Sequence, residues 1–215
     1  MAARSRLRGE RMVVHRASGH ADAEAWDLEF WQSQSPGTGS PRWSRFAVTS
    51  RPSRPGGGTG TTDVDAIQDF EDFLELLDRH DVRYLIIGGL AFIYHAKPRF
   101  TKDMDVWLDP EPDNLARANA ALADFGSHFL LNLADEDEIL QLGVAPNRID
   151  LLREAAPLAF EDAWRRRVEG RYGRARACWI AIEDLLAIKE RIDHPRHQED
   201  ARVLRLVLER RRRRE

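Results

Sequence analysis

The sequence contains a single cysteine, Cys178, and this scarcity excludes an internal disulfide. A lone thiol is typical of proteins from a reducing compartment, so we expect a cytoplasmic protein. No segment approaches the ~18 consecutive apolar residues that a membrane helix needs, and no apolar signal core follows the Arg-rich N-terminus. The net charge of −3 excludes a global attraction to nucleic acid or anionic lipid.

Lysine is also scarce, since only three of the 33 Lys and Arg residues are lysines: Lys97, Lys102 and Lys189. The 215 residues give room for one domain, or for one domain and a tail. A hydrophobic fraction of 42% with 32% charged residues fits a modest core that carries a long polar appendage.

Residues 1–61 lack the pattern of a folded unit. Segment 33–61 is rich in Gly, Pro, Ser, Thr and Arg and has no sustained period of 2 or 3.6 residues. We predict a disordered or dispensable head and linker over 1–61, with one short helix near residues 21–31. A domain over 62–209 and a basic tail over 210–215 follow. The simplest role for the tail is a solvated end; contact with RNA phosphates is the alternative.

From Asp63 onward, hydrophobic spacing changes repeatedly between helical and extended periods. Thr62 or Asp63 suits the N-cap of the first helix. The predicted helices cover residues 64–80, 90–96, 112–125, 160–167, 182–192 and 198–210. The predicted strands cover residues 83–87, 102–108, 141–145, 148–152, 169–172 and 175–180, and the last four form two hairpins. This order predicts an α/β (α+β) domain, a small mixed β-sheet with flanking helices.

The first chemical motif is Gly88-Gly89, directly after the strand predicted at 83–87. Glycines at a strand-to-helix turn let a phosphate approach the backbone, where N–H groups of the turn and the helix N-terminus hold the anion. Two glycines also occur here in ordinary tight turns, so the pair gains meaning only from its context.

Asp103 and Asp105 form the second motif. Strand alternation puts both carboxylates on one face, roughly 6.6–7 Å apart along the chain. Carboxylates placed in this way can converge on a hard divalent cation, which prefers oxygen ligands. Asp150, in a later strand, would supply a third carboxylate and complete a two-metal site. The alternative for each strand is a polar, solvent-facing edge.

Arg99, Thr101 and Lys102 come just before the carboxylate pair. Cations beside a metal–carboxylate site can neutralise the oxygens of a triphosphate. We therefore count these three residues among the candidate nucleotide-binding groups, with a solvated loop as the alternative.

Together these motifs resemble the signature of the DNA polymerase β-like nucleotidyltransferase superfamily. Two segments look like small bacterial nucleotidyltransferase-like proteins related to AbiEii, namely GGLAFIYHAKPRFTKDMDVWL and FEDAWRRRVEGRYGRARACWIAIEDLLAIKERIDHPRHQEDARVL. The resemblance covers residues 66–208. The head segment AWDLEFWQSQSP resembles the start of a short protein often encoded just upstream of such proteins, and a misassigned start is one hypothesis for residues 1–61.

The resemblance implies a nucleotidyltransferase fold in which Gly88 and Gly89 hold the triphosphate. Asp103 and Asp105 would bind Mg²⁺, with Mn²⁺ as the alternative ion. Asp150 would join the catalytic metal and help to activate the acceptor hydroxyl.

Further positions match the same family. Lys189 matches a lysine thought to face the nucleotide, although a surface lysine on an amphipathic helix would look similar. Asp200 matches an acidic position in the last helix. His197 departs from the family, because relatives commonly carry Asp there. His194 and His197 are more simply surface residues of a turn than a metal pair.

The implied activity is Mg²⁺-dependent transfer of a nucleoside monophosphate from an NTP to a hydroxyl of a protein, a tRNA end or a small molecule. Relatives occur in toxin–antitoxin and phage-defence systems, so a neighbour-encoded partner protein is expected by analogy. The alternative is a catalytically weak or inactive fold that acts as an antitoxin-like or regulatory partner, which the His197 departure favours. A dinucleotide-binding fold is disfavoured, because Gly-x-Gly-x-x-Gly is missing after the first strand.

Overall fold

A computed structural model describes residues 2–19, 22–23, 68–135, 137–143 and 147–213. Its helices are α1 (Ala2–Arg11), α2 (Gln68–Arg79), α3 (Gly88–His95), α4 (Pro112–Phe125), α5 (Phe160–Arg166), α6 (Ile182–Arg191) and α7 (Pro195–Arg212). Its strands are β1 (Val13–Ala17), β2 (Tyr84–Ile86), β3 (Asp103–Leu108), β4 (Ile139–Gly143), β5 (Arg148–Leu152), β6 (Val168–Tyr172) and β7 (Ala175–Trp179). Thr62, Asp63 and the residues up to 67 lie outside these ranges. Residues 144–146 of the first predicted hairpin also lie outside them.

The strands form one sheet in the order β1-β4-β5-β3-β2-β7-β6. The β3–β5 and β2–β7 pairs are parallel, and the other four pairs are antiparallel. The two predicted hairpins, β4–β5 and β6–β7, are both present. The predicted class, a mixed sheet with flanking helices, is therefore confirmed.

The core lies between the sheet and the apolar faces of its helices. The spacing of Phe70, Phe73 and Leu77 places all three on one face of α2, where they are buried. This face meets α4, and the rings of Phe73 and Phe125 pack edge to face with centroids 5.0 Å apart. Burying these rings fixes α2 and α4 against one face of the sheet. The opposite face of the sheet is available for polar residues.

The register of the central strands places chemically active residues in one row across the sheet. Asp105 on β3 is opposite Asp150 on β5, which is opposite Gln141 on β4, which is opposite His15 on β1. Residues paired in this way point to the same face. The polar face predicted for β3 therefore extends across β5, β4 and β1.

The last helix is longer than predicted. It begins at Pro195 rather than residue 198, because proline suits the first helical position and His194 Nδ1 caps the Arg196 N–H at 3.2 Å. It continues to Arg212, so the arginines from 210 to 212 form its last turn rather than a separate tail. Among the described residues, no helix has the length and apolar character to cross a membrane.

The N-terminal segment also differs from the sequence prediction. Helix α1 packs on α4, and β1 pairs with β4 from Val13 opposite Gly143 to Ala17 opposite Ile139. This ladder and the buried Arg8 connect residues 2–17 to the domain, whereas we expected a disordered head. The local pattern gave no signal because a polar edge strand is stabilised by its partner rather than by its own periodicity.

Candidate functional site

A cavity of about 520 Å³ lies over the polar face of the sheet, between the central strands and α6–α7. Eight of the ten residues proposed from sequence line it: Gly88, Gly89, Arg99, Thr101, Asp103, Asp105, Asp150 and Lys189. Such a volume suits a small-molecule site. The structure thus brings together groups that lie more than a hundred residues apart in the chain.

Both glycines at the start of α3 are required by close contacts. Gly88 has a φ of 59°, in the left-handed region, and a Cβ there would lie 1.9 Å from Asp105 Oδ2. A Cβ on Gly89 would lie 2.7 Å from Thr101 Oγ1. The Gly89 N–H donates to Asp105 Oδ2 at 3.3 Å. The backbone can approach the carboxylate, and any ligand beside it, because neither residue has a side chain.

The three carboxylates differ in exposure. Asp103 and Asp105 on β3 are partly exposed, whereas Asp150 on β5 is buried. Burial, with smaller contributions from Asp105 and Asp103, raises the pKa of Asp150 to about 7, although Arg148 opposes the shift. Asp150 is therefore the carboxylate of the group that is suited to exchanging a proton near neutral pH.

Arg148 is a site residue that the sequence analysis missed. Its Nε donates to Asp150 Oδ1 at 2.7 Å and its Nη2 donates to Asp150 Oδ2 at 2.9 Å. The same Nη2 lies 3.7 Å from Asp103 Oδ2. Alternation along β5 puts residues 148 and 150 on one face, so the pattern that pairs the β3 aspartates could have found it.

The predicted metal site stays a prediction. Among the residues that the structure describes, no group of three or more His, Cys, Asp or Glu side chains is placed to hold one ion. Both oxygens of Asp150 bond to Arg148. Asp103 and Asp105 still present carboxylate oxygens to the cavity, and this donor type fits Mg²⁺. Three aspartate carboxylates therefore line the cavity, and the third, Asp150, is hydrogen-bonded to Arg148.

The basic residues form a second cluster, centred on Asp200. Its Oδ2 lies 3.1 Å from Arg99 Nη2 and 3.4 Å from Lys189 Nζ. Burial lowers the pKa values of Lys189 and Arg99, and Asp200 opposes both shifts. Asp200 does not line the cavity but holds the two cations that do. Its predicted nucleotide contact stays a prediction.

His197 occupies the position that the family resemblance assigns to Asp. The Lys189 ammonium donates to its Nδ1 at 3.0 Å. Burial, and then the charge of Lys189, lowers the pKa of His197 to about 4, so the ring is neutral at pH 7. In the described ranges, His194 and His197 belong to no metal-binding group. His197 therefore offers a neutral ring nitrogen that accepts a hydrogen bond from Lys189, where the family resemblance implies a carboxylate.

Arg99 has hydrogen-bonding capacity to spare. Its Nε and Nη1 are buried and have no hydrogen-bond partner within the described part of the chain. Donors in this state favour an anion with several oxygens. Lys102, in contrast, does not line the cavity, and its carbonyl accepts the Arg148 N–H at 3.2 Å. Of the two predicted cations before β3, only Arg99 reaches the site.

Comparison with known proteins gives structural likeness alone. No protein-family model and no curated protein matches the sequence. The lincomycin-bound lincosamide antibiotic adenylyltransferase LnuA is 17% identical with a TM-score of 0.48, over 66% of this chain and 97% of that one. The antibiotic-resistance factor ANT(2'')-Ia is 15% identical with a TM-score of 0.48, over 66% and 83%. An antigenic nucleotidyltransferase-like protein from Paracoccidioides brasiliensis is 13% identical with a TM-score of 0.42, over 66% and 75%. Likeness at this level does not assign an activity.

Proposed function

We propose that this chain is an Mg²⁺-dependent nucleotidyltransferase that moves a nucleoside monophosphate from an NTP to a hydroxyl acceptor. The observation that carries the proposal is the shared cavity of the glycine turn, the Asp103–Asp105 pair, the partly buried Arg99 and the buried Lys189. A glycine turn or a pair of aspartates alone is common. Their convergence on one volume suits a magnesium–triphosphate ligand.

The nucleotide is held by backbone and cations together. The N-terminus of α3 presents N–H groups and a partial positive charge at the Gly88-Gly89 turn. Arg99 supplies its unsatisfied donors, and Lys189 supplies a buried ammonium. A triphosphate satisfies these groups because it has many acceptor oxygens and a charge opposite to theirs.

In the transfer, the acceptor oxygen forms a bond to the α-phosphorus as the bond to the pyrophosphate oxygen breaks. Asp150 accepts the hydroxyl proton and releases it to solvent, and a pKa of about 7 suits that task. Arg148 orients the Asp150 carboxylate through two hydrogen bonds. Asp103 and Asp105 would hold Mg²⁺, which would supply charge stabilisation for the transferred phosphoryl group.

A second candidate is a nucleotidyltransferase-like binding protein without turnover, acting as an antitoxin-like or regulatory partner of a neighbour-encoded protein. Two observations favour it. Arg148 occupies both oxygens of Asp150, and His197 is neutral where the family resemblance implies a carboxylate. This candidate predicts copurification with the neighbour-encoded protein and no pyrophosphate release.

The deciding experiment is calorimetric titration of Mg²⁺-ATP and Mg²⁺-GTP into the full chain. We expect binding, and an affinity loss on the order of 100-fold in Asp103→Asn/Asp105→Asn. The matched control is Asp135→Asn/Asp137→Asn, because these residues have the same Asp-x-Asp spacing but are exposed and outside the cavity. No binding of either nucleotide, with or without Mg²⁺, would reject the transferase and leave the binding-protein candidate.

A further inference from the structure

The cavity extends beyond the carboxylates, away from the Gly88-Gly89 turn. The strand order places β5 and then β4 on the side of β3 opposite β2, the strand that leads into that turn. On this side the lining is mainly apolar, with Ala23, Ile139, Leu152, Ala155 and Ala156, and it also includes the exposed carboxylate Glu154. Apolar walls do not suit a triphosphate, so this part of the cavity is available to the second substrate.

Gln141 is a buried polar group in this wall. It is fully buried on β4, and its amide nitrogen donates to Asp150 Oδ2 at 3.2 Å. Its Oε1 is buried and has no hydrogen-bond partner among the described residues. Rotating the amide would not satisfy both atoms, because the oxygen would then face an Asp150 carboxylate oxygen. The cavity therefore contains an unused acceptor whose orientation is fixed by Asp150.

We propose that this part of the cavity is the acceptor subsite, and that Gln141 selects small molecules with a second hydrogen-bond donor beside the reacting hydroxyl. The transfer itself rests on the function proposed above. A vicinal diol or amino alcohol gives one O–H to Asp150 and a second donor to Gln141 Oε1. Its carbon skeleton packs against the apolar walls.

The chemistry separates this class from other acceptors. The reacting oxygen bonds to the α-phosphorus, pyrophosphate leaves with the electrons of the broken bond, and the hydroxyl proton passes to Asp150. The second donor stays intact and only positions the molecule. A tyrosine side chain has a single hydroxyl and no donor on the neighbouring carbon, so it leaves Gln141 Oε1 unsatisfied. Serine and threonine carry only their backbone amide N–H on the carbon beside the hydroxyl-bearing one. A tyrosine acceptor is therefore disfavoured.

The test uses three matched probes on the full chain: cis-1,2-cyclohexanediol, cyclohexanol and cis-2-methoxycyclohexanol. Binding is measured by saturation-transfer NMR with Mg²⁺ and α,β-methylene-ATP, which cannot be turned over, and again without nucleotide. We expect the diol to bind about tenfold or more tightly than the other two, because the ether lacks the second donor. Equal binding of all three probes would overturn the proposal.

Variants assign the preference to the residue. Gln141→Leu should remove the preference for the diol, whereas Gln68→Leu should keep it, since Gln68 lies on α2 outside the cavity. A diol preference that survives in Gln141→Leu would overturn the assignment. If Gln141→Leu does not fold, the comparison of diol with methyl ether in the wild-type chain remains decisive.

Turnover distinguishes the two proposals. With ATP and Mg²⁺, pyrophosphate release stimulated by the diol supports both. Selective diol binding without pyrophosphate release rejects the transferase and supports the subsite. Pyrophosphate release that is indifferent to the second donor supports the transferase and overturns the subsite. A short RNA with a free 3′ end that is modified in preference to the diol would overturn the assignment to small molecules.

Discussion

Arg148 and Asp150 lie two residues apart on one strand, and the guanidinium of the first bonds to both carboxylate oxygens of the second. The arginine thus supplies positive charge at a position where the cavity gathers three carboxylates. It also restricts the carboxylate whose proton affinity matters most to the proposed transfer. Arg148 is therefore a positioning residue that opposes the effect of burial on Asp150.

Replacing Arg148 should shift the proton affinity of Asp150. In Arg148→Gln the positive charge is lost, while burial and the two β3 aspartates still disfavour the ionised form. We expect the Asp150 pKa to rise above about 7, so the acid limb of the pH profile for pyrophosphate release moves to higher pH. Carboxyl ¹³C NMR titration measures the same pKa without turnover. Arg171→Gln, an exposed change on β6, is the control, and an unchanged Asp150 pKa in Arg148→Gln would contradict the prediction.

Gly88→Ala should abolish nucleotide binding, because the new Cβ would occupy the place of Asp105 Oδ2. The matched control is Gly173→Ala in the β6–β7 turn, where φ is 55° against 59° at Gly88. Each alanine costs roughly 1 kcal/mol of backbone strain. Chemical denaturation should show that this strain lowers the free energy of unfolding by a similar amount in Gly88→Ala and Gly173→Ala. Calorimetry should show that only Gly88→Ala loses Mg²⁺-ATP binding. Retained binding in that variant would mean that the turn does not hold the phosphates.

His197 should lower the stability of the protein as the pH decreases from about 6.5 to about 4, whereas Asp150, whose pKa is raised to about 7 in the fold, acts in the opposite direction. The pKa of His197 is lowered to about 4 in the fold, so in this window the unfolded chain binds a proton that the native chain does not. The groups around the ring are Lys189, Asp200, His194 and Arg196. In His197→Asn, the number of protons taken up on unfolding near pH 5 should fall by about one. Urea denaturation at several pH values measures this slope, and an equal slope in both proteins would exclude His197 as a source.

Arg8→Met should destabilise the fold strongly. Arg8 is buried, and its guanidinium lies 2.7 Å from Asp72, itself 2% exposed, and 3.0 Å from Asp69. Removing one partner of a buried ion pair leaves an uncompensated charge and costs roughly 3 kcal/mol. The control is Arg6→Met on the same helix, because Arg6 is exposed. Thermal and urea denaturation give the two values.

The same contacts bear on the prediction that residues 1–61 are dispensable. A chain that begins at residue 62 loses the Arg8 ion pairs, the β1–β4 ladder and the Ala23 part of the cavity wall. We expect it to unfold at a lower temperature than the full chain. If both unfold at the same temperature, the original prediction of a dispensable head is correct despite these contacts.

The sequence predicted the elements from residue 68 onward well, because their apolar spacing matches their burial. Alternation placed Asp103 and Asp105 on the polar face of β3, while Met104 and Val106 are fully buried on the other. What local pattern could not give was pairing between distant segments. Gln141 lies in the site because of the register of β4 with β5. Residues 13–17 form strand β1 because they pair with β4.

The edge strand β1 has a consequence for how the protein is made. It leaves the ribosome long before its partner β4, as the separation of 122 residues between Arg16 and Glu138 shows. Closing so long a loop costs entropy and slows assembly. During synthesis the central strands can pair before this edge, so the wall near Ala23 would be finished after the carboxylates are in place. The nascent chain would then place the aspartates of the cavity before it completes the cavity wall near Ala23.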